Sequence, residues 1–495
     1  MAENNDDKNN DTIPQAEQQE KVEDEHAIYD VETNGDAKFN AVFENPLAGV
    51  SRDVLMADVE RFCHEYDLKD HIDAFRKGAL VAQSPQDAFE LPELNEDEKE
   101  ALRRETTHKW SQPWALYYLT AMASVAAAVQ GMDETANNGA QKLYLDRFGI
   151  KSHEEGGRFT QAMADNITGL VVGAPYLACA VLGCWLTEPL NYYFARRGTI
   201  FISCVIAAVA SVWEGVANSW VNLFVARFVL GLGIGSKSST VPVYTAECAP
   251  APIRGALVMM WQMWTAFGIM LGNIMGVAFG GLEPDLAWRL MLGSTVVLPL
   301  VVCIQIPWAV ESPRWLIQHN KIGKAFDSFR TLRPTELQAA RDLYYAYVGV
   351  QLERKVNKGK NFFSMVWELF TIARNARATA ASGILMLLQQ YCGVNIIAYY
   401  STTIFVDSGF SMSSALLASM GTGILNWVFA LPAFFTIDTW GRQLTLEELD
   451  QVFSVPTRKH ATYQLRNAVW HFRVWVLRQK LAPLPKLYGH EKINE

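Results

Sequence analysis

Long apolar runs, separated by shorter polar segments, dominate the middle of this 495-residue chain. A helix of about 20 mostly apolar residues crosses the hydrocarbon core of a bilayer, and eight segments reach that length. They cover residues 113–134, 165–186, 199–217, 221–246, 256–280, 288–309, 378–405 and 412–436. A soluble protein would not place so many such runs in series. The pattern therefore predicts an all-α membrane protein that crosses the bilayer several times.

Polar segments divide the chain into domains. Ser51 is a typical N-cap residue, and helical periodicity follows it, which predicts a helical N-terminal region on the cytoplasmic side. A basic, aromatic stretch near the C-terminus predicts either a helix on the inner leaflet or an ordinary cytoplasmic helix. The predicted domains are a disordered acidic tail (1–50), the N-terminal helical region (51–112), a first six-helix half (113–310), a helical cytoplasmic linker (311–377), two further spanning helices (378–442) and a cytoplasmic tail (443–495).

Charge and cysteine usage exclude several classes of protein. Residues 1–50 hold 13 acidic residues and 3 lysines, which predicts a solvated tail, and the rest of the chain is close to neutral. No basic patch indicates nucleic-acid binding. The 7 cysteines lack paired spacing or histidine neighbours, so we expect no metal site and no cofactor. We also find no nucleophile–base motif, so we do not expect an enzyme. Arginines in the loops after spans two and four predict that both termini are cytoplasmic.

The most specific motif is VLGLGIGSKSSTVPVYTAECAPAPIR at residues 229–254. Its alternate glycines at 231, 233 and 235 favour close approach of neighbouring helices. Glu247 needs a cationic partner, which Arg254 or a neighbouring loop could supply. Together with ESPRWLI (311–317), QQYCGVNIIAYYSTTIF (389–405) and DTWGRQ (438–443), this motif resembles the sugar porter family of the major facilitator superfamily. The resemblance covers about residues 113–443.

The resemblance implies a fold of twelve spans in two six-helix halves, which alternately open a central site to either side. This chain has six spans for the first half and two for the second. Residues 444–460 resemble the tail that follows span twelve in fungal members, so we expect spans nine to twelve to be absent. We accordingly expect a truncated major facilitator fold, and weak or no transport from this chain alone.

The resemblance also assigns the substrate site and the proton site. Sugar hydroxyls both donate and accept hydrogen bonds, as neutral amides do. The matching amides are Gln262, Gln389, Gln390, Asn395 and Asn426. The alternative is that these amides hold helices together. Asp133 in span one and Arg227 in span four match the pair found in proton-coupled members, which favours symport over facilitated diffusion. A static ion pair is the alternative there.

A conformational charge network completes the expectations. Its members are Glu247, Arg254, Glu311, Arg314, Asp438, Arg442, Arg196 and Arg197. The segment before Arg196 departs from the family pattern, because Ala195 replaces the usual glycine and the predicted loop is longer. The sequence therefore predicts a multi-pass plasma-membrane protein that transports a monosaccharide-class sugar or polyol, with protons and the lipid bilayer as its other partners. The alternative is a sugar sensor that does not transport.

Overall fold

A computed structural model describes residues 45–151, 157–440 and Arg466, and within these ranges the chain is almost entirely α-helical. The first helices are α1 (Arg52–Glu65), α2 (Ile72–Gln83) and α3 (Glu96–Thr107). The next are α4 (Trp114–Phe148), α5 (Gln161–Ala178), α6 (Cys184–Val216), α7 (Trp220–Cys248), α8 (Arg254–Phe279), α9 (Pro284–Gly293) and α10 (Val297–Gln305). The last are α11 (Pro313–Gln318), α12 (Ile322–Leu332), α13 (Glu336–Asn357), α14 (Phe362–Thr371), α15 (Ala373–Tyr391), α16 (Val394–Asp407) and α17 (Met412–Trp440).

Six helical segments of the described chain are long and apolar enough to cross a membrane by length and composition. One of them, Gln161–Val216, is 56 residues long and contains both the second and the third predicted spans. The predicted fourth span, α7, is not among the six, since Arg227 and Lys237 interrupt its apolar stretch. Five of the six segments each correspond to one predicted span, and Gln161–Val216 corresponds to two. Helix α7 accounts for the remaining predicted span.

The connection between the second and third spans is helical, so its prediction as a long loop was wrong. Helix α5 passes through a π-helical turn at Cys179–Gly183 into α6. Helix α6 continues through the polar residues after it and breaks at Ala195, where φ is 60° and ψ is −174°. The helical stretch includes Pro189 and Gly198 as well as polar residues, so tertiary packing overrides the local preference for a loop there.

Helix α4 lies at the centre of the bundle, where it packs most extensively on α8 and also contacts α7, α9, α10 and α16. The alternate glycines of α7 let two neighbours approach closely, which confirms that prediction. A Cβ atom on Gly231 would lie 2.1 Å from the carbonyl oxygen of Pro175, on the α5 side. A Cβ atom on Gly233 would lie 2.7 Å from the carbonyl oxygen of Ser203 on α6. Any larger residue would force these helices apart.

Helices α1–α3 and α11–α13 form a separate unit, which we call the linker domain. Its shared apolar core includes Phe62, Phe75, Phe326 and Tyr344, which come from both parts of the sequence. Arg333 attaches this domain to the bundle, because its guanidinium donates to the carbonyl oxygen of Cys248 at the end of α7 (2.9 Å). The N-terminal region is therefore packed on the segment that connects the two groups of spanning helices.

The predicted seventh span consists of two helices, α15 and α16, which meet at Gly393 in a left-handed conformation (φ 77°). Helix α16 packs on α4 and α17, and α17 packs on α8. Helix α15, in contrast, has no buried residue in the apolar stretch that leads to Gly393. The second group of spanning helices is thus joined to the first through α16 and α17.

Candidate substrate and proton site

Helix α16 runs parallel to α4, which fixes the depth of Asn395 in the bundle. Asn138 Nδ2 donates to Ser401 Oγ at 2.8 Å, and Lys142 Nζ lies 2.7 Å from Asp407 Oδ1. Asn395 precedes Ser401 by six positions, so at about 1.5 Å per residue it lies about 9 Å away from the Asn138 level. That depth corresponds to the residue just before Asp133 on α4.

The same argument places two more amides at a similar depth. Thr135 Oγ1 donates to the carbonyl oxygen of Ile269 at 3.0 Å, which sets the register between α4 and α8. Gln262 therefore lies about seven positions, or about 10 Å, from that contact. Trp427 packs on Phe267 with ring centroids 5.5 Å apart, which brings the neighbouring Asn426 to the depth of Asp133. The amides of α8, α16 and α17 thus lie within one layer about 10 Å thick.

The five amides remain available in this arrangement. Gln262, Gln389, Gln390 and Asn426 are exposed, and Asn395 is half-buried. Asn395 Nδ2 donates to Gln390 Oε1 at 2.5 Å, within the same predicted span. Across residues 45–151 and 157–440, none of these amides hydrogen-bonds to a different span. Their polar groups are therefore free to meet a solute, and they do not act here as bonds between spans.

Two of the predicted charges are buried in the bundle, but they are not paired with each other. Asp133 is 4% exposed, and neither of its carboxylate oxygens has a hydrogen-bond partner within the described chain. Arg227 is 3% exposed, donates to the carbonyl oxygen of Val171 at 2.8 Å, and lies 3.7 Å from Glu214 Oε2. In the structure the carboxylate partner of Arg227 is therefore Glu214.

Sequence reasoning missed both Glu214 and Lys237. Lys237 is fully buried on α7, and its ammonium has no hydrogen-bond partner among the described residues. A charged group inside a spanning helix is costly, at about 2.5–3.5 kcal/mol at the bilayer centre, so each one indicates a function. A sequence signal for Lys237 exists, because this lysine lies inside an apolar run and inside the motif at residues 229–254.

Two tyrosines link the first half to the seventh span beside these charges. Tyr399 donates from its hydroxyl to the hydroxyl of Tyr176 at 2.5 Å, and their ring centroids are 5.5 Å apart. Gln130 Nε2 donates to Glu134 Oε1 at 3.3 Å nearby on α4. Tyr399 therefore contacts the first half of the bundle beside Glu134.

At the end of α7, the charge network is formed by Arg196 and Glu247. Two nitrogens of the Arg196 guanidinium donate to the two oxygens of Glu247, at 3.0 Å and 3.2 Å. Ser312 Oγ donates to the same carboxylate at 2.6 Å. Arg254, the other partner considered for Glu247, donates instead to the carbonyl oxygen of Ala249 at 3.3 Å. The bidentate pair thus joins the third span, the fourth span and the start of the linker domain.

Glu311 acts as an N-terminal cap for the part of α6 that follows Ala195. Its Oε1 accepts from the backbone amides of Arg196 at 3.2 Å, Arg197 at 3.4 Å and Ser312 at 2.9 Å. A carboxylate in this position satisfies helix donors and complements the helix dipole. Burial raises the pKa of the Glu311 carboxyl, and the three amides partly offset that effect.

The other predicted members of the network lie elsewhere. Arg197 donates from its guanidinium to the carbonyl oxygen of Pro307 at 2.8 Å. Arg314 pairs with Glu353 on the surface of the linker domain. The side chain of Asp438 and the whole of Arg442 lie outside the described residues. The described part of the network is therefore centred on Arg196, Glu247 and Glu311.

Comparison with known proteins agrees with this architecture. A family model described as "Sugar (and other) transporter" matches residues 119–447. The myo-inositol transporter FST1 of Gibberella moniliformis is 30% identical over 332 residues, which are 66% of this chain and 55% of the relative. The galactose-proton symporter of Escherichia coli K12 is 27% identical over 332 residues, which are 67% of this chain and 66% of the relative. The chain thus spans a little over half the length of the first of these relatives.

Solved structures show the same fold. A partially occluded, inward-open structure of the xylose transporter XylE from E. coli has a TM-score of 0.52 at 22% identity, covering 66% of this chain and 74% of that one. The structure of XylE, a proton:xylose symporter of the major facilitator superfamily, bound to 6-bromo-6-deoxy-D-glucose has a TM-score of 0.56 at 24% identity, covering 66% and 70%. This chain is a multi-pass membrane protein that belongs to the family described as "Sugar (and other) transporter".

Proposed function

We propose that this chain moves a monosaccharide-class sugar or polyol across the plasma membrane by proton symport, with both termini on the cytoplasmic side. The observation that carries the proposal is the shared depth of the amides and the buried acid Asp133. Amides able to bind hydroxyl groups lie at the level of a carboxylate that can bind a proton, so solute and proton would occupy the same layer. Relatives named as a myo-inositol transporter and a galactose-proton symporter support this solute class.

The exposed amides give the proposal its geometry. Gln262 on α8, Asn395 on α16 and Asn426 on α17 come from both groups of spanning helices. A solute held between them would contact both groups at once, which is the arrangement that alternating access requires. The Arg196–Glu247 pair at the end of α7 would break and re-form as that end opens and closes.

Reconstitution of the purified chain into proteoliposomes tests the proposal. We expect saturable binding of labelled myo-inositol or galactose, and an inward flux that increases when the outside is made acidic. Since the chain spans 55% of the FST1 relative, we expect the flux to be weak. Asp133→Asn should abolish the response to the pH gradient and keep binding. The matched control is Asp407→Asn, which removes an exposed acid.

Three other results would contradict parts of this proposal. Binding that saturates without any flux would favour a sensor. Flux that ignores the pH gradient in the unmodified chain would favour facilitated diffusion. Absence of binding, together with unchanged behaviour of Gln262→Ala and Asn426→Ala, would remove the assigned substrate site.

A further inference from the structure

Lys237 is the buried charge that the proposed site leaves unexplained. Its side chain is fully buried on α7, and its ammonium has no hydrogen-bond partner within the described chain. An isolated ammonium in such a place loses its hydration without compensation, so it needs an opposite charge nearby. A lysine that served only for packing would lose its hydration free energy without any compensating interaction.

The groups that face Lys237 are mostly acids. Asp133 and Glu134 on α4 and the thiol of Cys204 on α6 lie within electrostatic reach of its ammonium. Asp133 also interacts electrostatically with Arg227, which is paired with Glu214. Other titratable groups around this cluster are the hydroxyls of four tyrosines and one further thiol. They belong to Tyr176 on α5, Tyr144 on α4, Tyr399 and Tyr400 on α16, and Cys303 on α10.

Counting formal charges gives the cluster a definite proton content. Two buried carboxylates (Asp133 and Glu214) and the half-buried Glu134 lie around two buried cations, Arg227 and Lys237. With all five charged, one negative charge is left over, and a single proton on one carboxylate makes the cluster neutral. Since a net charge inside the membrane is strongly disfavoured, the neutral form with one proton is the stable one when the site is closed.

We propose that Lys237 is a fixed counter-ion that limits this cluster to one exchangeable proton, held by Asp133 or its neighbour Glu134. The inference rests on the proposed function, in that this proton is the one coupled to the solute. A hydronium ion gives its proton to the carboxylate and leaves as water, and release reverses the same step. When the proton leaves, Lys237 stabilises the carboxylate that remains, so the charge does not have to be matched by a second proton.

The proposal predicts the number of protonated carboxyl groups in a set of variants. Infrared difference spectroscopy of the purified full chain at neutral pH measures the carbonyl band of protonated carboxyls. Wild type should show one in the cluster, Lys237→Met should show two, and Asp133→Asn should show none. The double variant Asp133→Asn/Lys237→Met removes one acid and one cation, so it should return to one.

A matched control separates this effect from the loss of any lysine. Lys142→Met removes a lysine from an ion pair whose partners are 38% and 61% exposed, and it should leave the band unchanged. If Lys237→Met misfolds, the double variant and Lys237→Arg keep the test open, because both preserve the charge balance. A band equal to wild type in Lys237→Met, with normal folding, would overturn the proposal and mark Lys237 as a neutral amine.

The band does not depend on transport, so the two proposals can fail separately. A chain that moves no sugar but shows the predicted series of one, two, none and one retains the counter-ion and loses the proposed function. A chain that transports with a pH gradient but shows the same band in every variant retains the function and loses the counter-ion.

Discussion

Removing the charge of Glu247 should destabilise the end of the bundle that this residue holds together. The Glu247→Gln substitution keeps the shape of the side chain but leaves the guanidinium of Arg196 without its counter-ion. Both side chains are nearly buried, at 9% exposure for Glu247 and 14% for Arg196. The same carboxylate also accepts from Ser312 at 2.6 Å, so three charge-assisted hydrogen bonds are weakened together.

The size of the effect follows from burial. Breaking one side of a fully buried ion pair costs about 3–5 kcal/mol, because the remaining charge is left without compensation. Arg196 keeps some contact with solvent, and the glutamine oxygen can still accept one hydrogen bond. We therefore expect a loss of roughly 2–3 kcal/mol in the free energy of unfolding.

Thermal unfolding of the purified chain in detergent micelles measures this loss. The matched control is Glu353→Gln, which makes the same chemical change in the Arg314 pair, where both side chains are more than 40% exposed. Exposed pairs contribute about 0–1 kcal/mol, so this control should melt close to wild type. The double variant Arg196→Gln/Glu247→Gln should recover part of the loss, because no buried charge remains unpaired.

The reasoning would be refuted if Glu247→Gln and Glu353→Gln had the same melting temperature. It would also be refuted if the double variant lost as much stability as the single variants Glu247→Gln and Arg196→Gln lose when their losses are added. Either result would mean that the Arg196–Glu247 pair is fully solvated and does not join the third and fourth spans.

Three further predictions concern the linker domain and the break in α6. Gly78→Ala should lower the melting temperature, at a cost of about 1–3 kcal/mol, since the added Cβ would lie 2.8 Å from the backbone nitrogen of Arg341; the neighbouring Ala79→Gly is the comparison. Ala195→Gly should raise the melting temperature, with a gain of about 1 kcal/mol in the free energy of unfolding, because glycine adopts the observed φ of 60° without strain. A lower melting temperature would show that the lost methyl contacts dominate. Burial raises the pKa of Asp342, but Arg341 and Arg333 outweigh burial and hold it below its usual range, so the stabilisation is present above about pH 4 and is lost as the pH falls further. Melting curves from pH 7 to pH 3 should show this loss in wild type and a smaller one in Asp342→Asn.

Local pattern was sufficient for the spanning helices and their close contacts. Apolar length predicts where helices cross, and alternate small residues predict where two helices approach, because both properties belong to a short stretch of chain. The same local view failed between the second and third spans. There the helix continues through polar residues and is kinked at Ala195, a residue that gives no local signal for a positive φ.

The partners of the buried charges could not be predicted in the same way. The sequence identifies Arg227 as a charge that needs a carboxylate, but the choice between Asp133 and Glu214 depends on how α4, α6 and α7 rotate against each other. Packing between distant segments is equally invisible. Phe62 and Tyr344 pack in one core with ring centroids 5.6 Å apart. In the same cluster the hydroxyl of Tyr66 contacts that of Tyr347, which lies 281 positions further along the chain.

The contact of Arg333 with the last carbonyl group of α7 has a mechanical consequence. It fixes the linker domain to the fourth span, and the apolar clusters inside that domain hold α1–α3 to α11–α13. Movement of the first half should therefore displace all of these helices as one body. A fluorophore on an exposed residue of α3, such as Glu100, would then change orientation when the bundle tilts, so it reports that tilt from outside the bundle. An antibody fragment that clamps α3 to a support should, for the same reason, slow any rocking of the spans.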